Sequence, residues 1–320
     1  MAVNIAINGF GRIGRLVFSR LLGDRAFEIV AINDSASGMD CGAKPELLAW
    51  LLKYETPREG RPIGDTVQSG PDFISLKGKN IKTHSETDPS KLPWKKLKVD
   101  LVLDCTGLFA SKEQAAAHLA AGAKKVFLIP PSAAYPLIVY GINEKNITPT
   151  DRIISAPSPA LSSLAPLVRA LNDFVPIRSG ILTAESGSAA IAADISSLLP
   201  ELQDKLIGSP AVTGGGSTAL LTAVVKGKNI TAAAINKALN TKIEGARTLV
   251  LSAGEDLYQV QILTRYGSED AYAAVLVKTL KYLVEPKSDG PAKPETKKPS
   301  GGAKSANPVL PRKPLINFPK

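Results

Sequence analysis

The sequence contains 320 residues, of which 44% are hydrophobic and 21% are charged. These proportions are typical of a soluble globular protein, and no apolar run approaches the roughly 18 residues that a membrane span requires, so we expect no membrane span. The chain is longer than the roughly 250–300 residues at which a single core stops growing, which predicts two packed domains.

Cysteine and histidine are scarce, since the chain contains only Cys41, Cys105, His84 and His118. Two distant thiols are too few for a disulfide framework, and the four residues lack the spacing of a zinc site, so we predict reduced thiols and no metal. The opening residues MAVNIAINGF lack the charged start, apolar block and cleavage site of a secretory signal, which predicts a cytoplasmic location.

The first half of the chain alternates short apolar runs with helical patterns. A strand over 3–10, a helix over 15–24 and a strand over 27–34 predict a βαβ unit with a right-handed crossover. Further strands are predicted over 72–78, 80–86, 99–107 and 123–130, with a helix over 112–121. This alternation predicts an α/β fold whose N-terminal part is a Rossmann-type doubly wound parallel sheet.

After Asp151 the pattern changes to longer strands and helices. Helices are predicted over 161–174, 189–202 and 268–285, and strands over 179–186, 217–227, 246–254 and 257–267. This half predicts a second α+β domain. The predicted organisation is therefore a Rossmann-type domain over 1–151, a C-terminal domain over 152–284 and a tail over 285–320.

The tail is rich in proline and positive charge. Its 36 residues include eight prolines, eight lysine or arginine residues and three acidic residues, which gives it half of the net charge of +10. A segment of this composition has few apolar side chains to bury in a core, so we predict that it is disordered or extended. Its basic charge favours an anionic partner, such as a protein or ribonucleoprotein assembly, while a solvated tail that only aids solubility is an equally weighted alternative.

The segment NGFGRIGR carries the pattern GxGxxG in Gly9, Gly11 and Gly14, between a predicted strand and a predicted helix. Asp34 ends the next strand twenty positions after Gly14. Such glycines let the backbone approach a pyrophosphate at the positive helix end, and the carboxylate accepts hydrogen bonds from a ribose hydroxyl. Because a 2′-phosphate would be repelled by Asp34, NAD is favoured over NADP. The alternative is that the glycines serve only a tight turn and close helix packing.

These residues strongly resemble the glyceraldehyde-3-phosphate dehydrogenase family. The segments INGFGRIGR, AINDS, LLKYETPREGR, SETDPSKLPW, VDLVLDCTGLFASKEQAAAHLAAGAKKV and IVYGIN follow the family pattern closely, and LPELQDKL and YGSEDAY continue it. The resemblance spans Met1 to Val284 and leaves out the tail. It implies a cofactor-binding set made of Gly9, Phe10, Gly11, Arg12, Ile13, Gly14, Asn33, Asp34, Thr106 and Gly107.

The resemblance fails at the catalytic nucleophile. Where the family has S-C-T-T-N-C-L-A-P, with a reactive cysteine at a helix start, this chain has SPALSSLAP from Ser158 to Pro166. Pro159 stands in the place of the cysteine and has no reactive side chain. Ser158 and Pro159 instead predict a capped helix start.

Other parts of the implied site differ as well. Ser186 replaces the family's general-base histidine, Val212 replaces a substrate-binding arginine, and Ser268 replaces the asparagine that orients the nicotinamide. Between Ser186 and Ser188 a long basic loop of the family is essentially absent, which argues against the family's usual tetramer and its hold on NAD. Ser158, Ser162, Ser163 and Glu185 are the nearby polar groups, but a serine hydroxyl is a weak nucleophile without an adjacent base.

The sequence therefore predicts no catalytic residues and a catalytically inactive member of this family, kept as a structural or binding subunit with a vestigial NAD site. Retention of NAD, a homo-oligomeric state and the identity of the partner stay open at this stage. One alternative is an NAD-dependent aldehyde oxidoreductase with a non-standard mechanism. A second alternative is a sensor that uses NAD occupancy as its signal.

Overall fold

A computed structural model of the chain contains two β-sheets, and helices pack against both of them. The structure describes residues 2–35, 44–54, 66–108, 112–129, 135–184, 187–210, 218–239, 247–254, 256–265 and 269–284. All of these residues belong to one unit, Met1–Lys287. The predicted tail over 285–320 lies outside the described residues, as does Cys41.

The N-terminal sheet contains eight strands in the order β3-β4-β5-β2-β1-β6-β7-β8. Its strands are β1 Val3–Asn8, β2 Phe27–Asn33, β3 Gln68–Ser69, β4 Phe73–Leu76, β5 Lys79–His84, β6 Leu101–Asp104, β7 Lys125–Leu128 and β8 Ile153–Ser155. Its helices are α1 Arg12–Leu21, α2 Pro45–Tyr54 and α3 Lys112–Ala120. The pairs from β5 through β8 are parallel, whereas β3 and β4 form an antiparallel edge.

Both faces of this sheet are buried, which explains the nearly continuous apolar character of its central strands. In β1, Ile5 and Ile7 enter one hydrophobic cluster with α1, and Ala6 enters a second cluster on the opposite face with Trp94. Side chains that alternate between two cores in this way are the signature of a doubly wound sheet. The predicted fold class is confirmed.

The second sheet contains five strands in the order β10-β9-β11-β13-β12. Its strands are β9 Ile177–Ala184, β10 Leu206–Pro210, β11 Thr218–Lys226, β12 Arg247–Gly254 and β13 Leu257–Arg265. The helices of this half are α4 Pro159–Phe174, α5 Ser188–Leu198, α6 Ala232–Leu239 and α7 Glu269–Val284. In β11 every second residue from Ala219 to Val225 is buried, and these side chains share a core with α4, α5 and α6. This is the predicted α+β layer, although the exact domain boundaries stay a prediction.

The last helix, α7, follows the second sheet in sequence but packs against α1 of the N-terminal sheet. Arg20 Nε donates to Asp270 Oδ1 at 3.0 Å, and Lys281 Nζ contacts Asp24 Oδ2 at 2.6 Å. The hydrogen bond from Lys281 holds the pKa of Asp24 below its ordinary value. Apolar packing and charge pairing therefore join α7 to the first βαβ unit.

No helix in the described ranges is long and apolar enough to cross a membrane.

Candidate functional site

The loop after β1 is built on glycines that the surrounding backbone requires. Gly9 has a φ of +89°, and a Cβ there would lie 2.8 Å from the backbone nitrogen of Thr106. A Cβ on Gly14 would lie 2.2 Å from the carbonyl oxygen of Gly9. Both distances are far below van der Waals contact, so these two glycines are needed for the turn and for the packing of α1 on β1.

Gly11 has a different environment, because a Cβ built on it would meet no atom within 4 Å. It is the residue before the first turn of α1 and provides no side-chain cap for the helix. The opening N–H groups of a helix carry partial positive charge and bind anions well. Open space beside Gly11 at such a helix start fits the pyrophosphate of a dinucleotide.

Asp34 lies directly beside this loop, because its Oδ2 accepts a hydrogen bond of 2.6 Å from the backbone N–H of Phe10. The Phe10 ring itself is buried and meets Phe18 edge-on at 5.4 Å. Ile13 packs against the same core, and the side chain of Arg12 pairs with Glu269. These three predicted residues can therefore face a ligand mainly through their backbone, whereas Asp34 presents a carboxylate.

Asn33 is buried and fully engaged within the protein. Its Nδ2 donates to Asn8 Oδ1 at 2.7 Å and to the carbonyl of Glu86 at 2.9 Å, and its Oδ1 accepts from the Glu86 N–H at 2.9 Å. Its side chain therefore ties β2 to β1 and to the segment after β5. Any contribution of Asn33 to cofactor binding is through the position of the loops that it holds.

Thr106 and Gly107 follow β6 at the same edge of the sheet. The N–H and the Oγ1 of Thr106 donate to Asp104 Oδ1 at 3.0 and 2.7 Å, and Gly107 has a φ of +72°. Because the carboxyl ends of parallel strands meet at one edge, these residues lie on the same side of the sheet as the Gly9 loop and Asp34. The predicted cofactor set is thus gathered at the carboxyl edge of the sheet.

A buried polar network below this edge involves His118, which is fully buried. Trp94 Nε1 donates to His118 Nδ1 at 3.0 Å, so Nδ1 must be unprotonated. The proton is then on Nε2, which lies 3.1 Å from Asp104 Oδ2 and donates to it. Asn8 Nδ2 reaches the same carboxylate oxygen at 3.2 Å. His118 is therefore a neutral structural link.

The start of α4 is a capped helix terminus. Ser158 Oγ accepts a hydrogen bond from the Leu161 N–H at 3.2 Å, and Pro159 is the first helical residue. The hydroxyls of Ser162 and Ser163 donate to the carbonyl of Pro159 at 2.7 and 3.2 Å. All three serine side chains thus serve the first turn of the helix, which bears out the predicted Ser158 and Pro159 cap.

Tyr272 of α7 forms a hydrogen bond to the segment just before this helix start. Its buried hydroxyl donates to the carbonyl of Pro157 at 2.7 Å, and burial raises the pKa of Tyr272 above its ordinary value. Neither this contact nor the link between Trp94 and His118 was predicted. Both join residues far apart in sequence, and no local pattern marks them.

The other reactive side chains that the structure describes, Cys105 and His84, do not form a pair of nucleophile and base. Burial, reinforced by the Asp104 carboxylate, raises the pKa of the Cys105 thiol far above its ordinary value, so it stays protonated. His84 ends β5, and burial lowers the pKa of its imidazole. Glu185, Ser186, Val212 and Ser268 lie outside the described residues. Within the described ranges no group of three histidine, cysteine or acidic side chains could hold a metal ion.

Comparison with known proteins identifies relatives along most of the chain. The family model "Glyceraldehyde 3-phosphate dehydrogenase, NAD binding domain" matches residues 3–112. The chain is 32% identical over 340 aligned residues to glyceraldehyde-3-phosphate dehydrogenase of Clostridium pasteurianum, covering 88% of this chain and 98% of the relative. It is 34% identical over 284 residues to glyceraldehyde-3-phosphate dehydrogenase 1 of Saccharomyces cerevisiae, covering 79% of this chain and 83% of that protein.

A third relative, glyceraldehyde-3-phosphate dehydrogenase of Clostridium acetobutylicum, is 36% identical over 270 residues that cover 73% of this chain and 77% of the relative. The resemblance predicted from the motifs is therefore confirmed by matches that extend from the N-terminal sheet into the second half. The chain belongs to the glyceraldehyde-3-phosphate dehydrogenase family.

Proposed function

We propose that this chain is a dinucleotide-binding member of its family that has lost acyl-transfer activity and acts as a binding or structural subunit. The observation that carries the proposal is Pro159 at the first position of α4, with the neighbouring hydroxyls bonded to the helix backbone.

The loss follows from what the chemistry needs. Oxidation of an aldehyde through an acyl-enzyme requires a nucleophile that adds to the carbonyl, and a base that activates this nucleophile. Proline has no such group, and a serine hydroxyl is unreactive without a base. The chain has two histidines, and His84 and His118 lie in β5 and α3 of the N-terminal half. Removing one transition-state donor often costs about 3–4 kcal/mol, so concerted replacement of several groups is expected to abolish turnover.

Retention of a dinucleotide is supported by the open space at Gly11, the uncapped start of α1 and the Asp34 carboxylate beside the loop. In this arrangement the first turn of α1 would hold the pyrophosphate, and Asp34 would accept from a ribose hydroxyl. NAD bound there would supply a hydride acceptor. The protein's own residues would bind and orient it, without a covalent substrate adduct for it to oxidise.

The basic tail is the proposed docking element, on the basis of its sequence. Residues 285–320 have a net charge of +5, and the apolar residues Val309, Leu310, Leu315, Ile316 and Phe318 lie near its end. Charge would attract an anionic assembly, and the apolar residues would fix the contact.

The absence of activity is tested with glyceraldehyde 3-phosphate, NAD and inorganic phosphate, following absorbance at the NADH band. We expect no turnover in the usual enzymatic range of about 1–1,000 per second. Pro159→Cys is the informative variant. Its thiol at a helix start should react with iodoacetamide at neutral pH, yet turnover should stay absent because no histidine is available as base. Wild-type turnover at an ordinary rate would support the alternative oxidoreductase.

Dinucleotide binding is tested by calorimetry with NAD. We expect saturable binding that Asp34→Ala weakens by about tenfold or more, because a hydrogen-bonded carboxylate is worth about 1.5–3 kcal/mol. Asp173→Ala is the matched control, since this exposed carboxylate pairs with Arg169 at 2.9 Å on α4, in the second half of the chain. If the wild-type protein shows no heat of binding, the cofactor part of the proposal is wrong.

Partner docking is tested by purification of the protein from its native source at low and at high salt. We expect an RNA or protein partner that co-purifies at low salt and is released at high salt, because charge-driven contacts weaken as ions screen them. Truncation after Val284 should abolish the association. A partner that is kept by the truncated chain would contradict a role for the tail.

A further inference from the structure

A cavity of about 810 Å³ lies at the amino edge of the N-terminal sheet. Its lining includes Asn4, Asp100 and Lys125, which lie at the starts of β1, β6 and β7 and are joined by backbone hydrogen bonds of 2.9 Å. The Gly9 loop follows the opposite end of β1. The cavity is therefore separate from the dinucleotide edge, and its role does not depend on the proposed function.

The floor of the cavity is apolar. Val99 and Leu101 are buried there, and Val3 adds a half-buried side chain from β1. Leu283 and Val284 close one wall from the last turn of α7. The half-buried Val3, Leu283 and Val284 provide accessible apolar surface, which favours a ligand with a hydrocarbon body because binding releases the water that covers these side chains.

The rim of the cavity is strongly basic. Among the described residues that line it, four are lysines, Lys95, Lys98, Lys124 and Lys125, and one, Asp100, is acidic. The Asp100 carboxylate is already used by Lys124 Nζ at 2.6 Å and by the Asn4 N–H at 2.9 Å. Burial alone would raise the pKa of Asp100, but these two hydrogen bonds outweigh it and hold the pKa below its ordinary value. Asp100 therefore stays ionised, and its carboxylate is already bonded to Lys124 and Asn4.

Lys95 and Lys98 form no salt bridge to a carboxylate in the part of the chain that the structure describes. Their backbone positions are nevertheless fixed. Lys95 N–H donates to the Ala121 carbonyl at 3.0 Å, and Lys98 N–H donates to the Lys95 carbonyl at 3.2 Å. Lys98 has a φ of +52°, and its carbonyl accepts from Asn4 Nδ2 at 3.0 Å. This hydrogen-bonded turn thus places Lys95 and Lys98 in the lining of the cavity, and neither pairs with a carboxylate among the described residues.

We propose that this cavity binds a small amphiphilic anion, in which an apolar chain fills the floor and a carboxylate or similar head group pairs with Lys95 and Lys98. Ligand sites of drug-like size typically have volumes of about 300–1,000 Å³, and this cavity falls within that range. Inorganic anions are a poor match because they would leave the apolar floor hydrated. Neutral amphiphiles are a poor match because they would leave the lysines without a partner.

The test is calorimetry of the full chain with decanoate. Decanol and inorganic phosphate are the comparison probes. We expect saturable binding of decanoate at one site, with affinity about tenfold or more above that of decanol, which corresponds to about 1.4 kcal/mol. Phosphate alone should show no saturable binding.

Two variants locate the ligand. Lys95→Met combined with Lys98→Met keeps the aliphatic stems and removes the charges, and should weaken decanoate binding by about tenfold. Lys77→Met combined with Lys228→Met is the matched control, since both lysines are exposed outside the cavity lining: Lys77 lies in the turn between β4 and β5 with a φ of +51°, and Lys228 lies just after β11. Val284→Trp should narrow the apolar wall of the cavity and weaken decanoate binding without a change in net charge.

The proposal is overturned if decanoate shows no saturable binding, if decanol binds equally well, or if the Lys95 and Lys98 double variant binds as tightly as the control. Equal loss in the control variant would show a general charge effect and would also overturn it. The denaturant midpoint of each variant, measured in parallel, separates lost binding from lost folding.

Discussion

The buried hydrogen-bond network of Asn8, Asn33, Asp104 and His118 is the constraint on which the carboxyl edge of the N-terminal sheet depends. Buried polar groups are costly unless they are paired, and in this network each side chain has a partner on a neighbouring element. The network joins the ends of β2, β1 and β6, and Trp94 fixes the imidazole in its neutral form. The loops that carry Gly9, Asp34 and Thr106 begin where these strands end, so their geometry follows from the network.

Dinucleotide binding and acyl transfer place different demands on such a scaffold. The first relies on backbone groups and on positions without a side chain, whereas the second relies on a reactive side chain and a base. Gly9 and Gly14 are required by internal packing, so their presence alone is no evidence for a ligand. Gly11 is the discriminating residue because the space beside it is open. At the start of α4, Pro159 has no reactive side chain, and the hydroxyls of Ser158, Ser162 and Ser163 are hydrogen-bonded to the helix backbone.

Much of this arrangement could be predicted from local patterns. Alternating strands and helices fixed the doubly wound sheet, and the pair Ser158 and Pro159 predicted the cap of α4, because these signals depend on neighbouring residues. Short elements such as α2, β10 and α6 were not predicted, since a brief apolar run fits a helix or a strand equally well. The periodicity of the sequence predicted α7 but did not predict its packing against α1. The hydrogen bond from Tyr272 to Pro157 was not predicted either, because no pattern near either residue indicates it.

If acyl transfer is lost as proposed, no residue of this chain forms a covalent bond to an aldehyde substrate during oxidation. The most direct measurement is mass spectrometry of the intact protein and its peptides, after incubation with isotopically labelled glyceraldehyde 3-phosphate and NAD without phosphate and rapid acid quenching. We expect an unchanged protein mass and no labelled peptide between residues 155 and 171. A labelled acyl group on Ser158, Ser162 or Ser163 would contradict it.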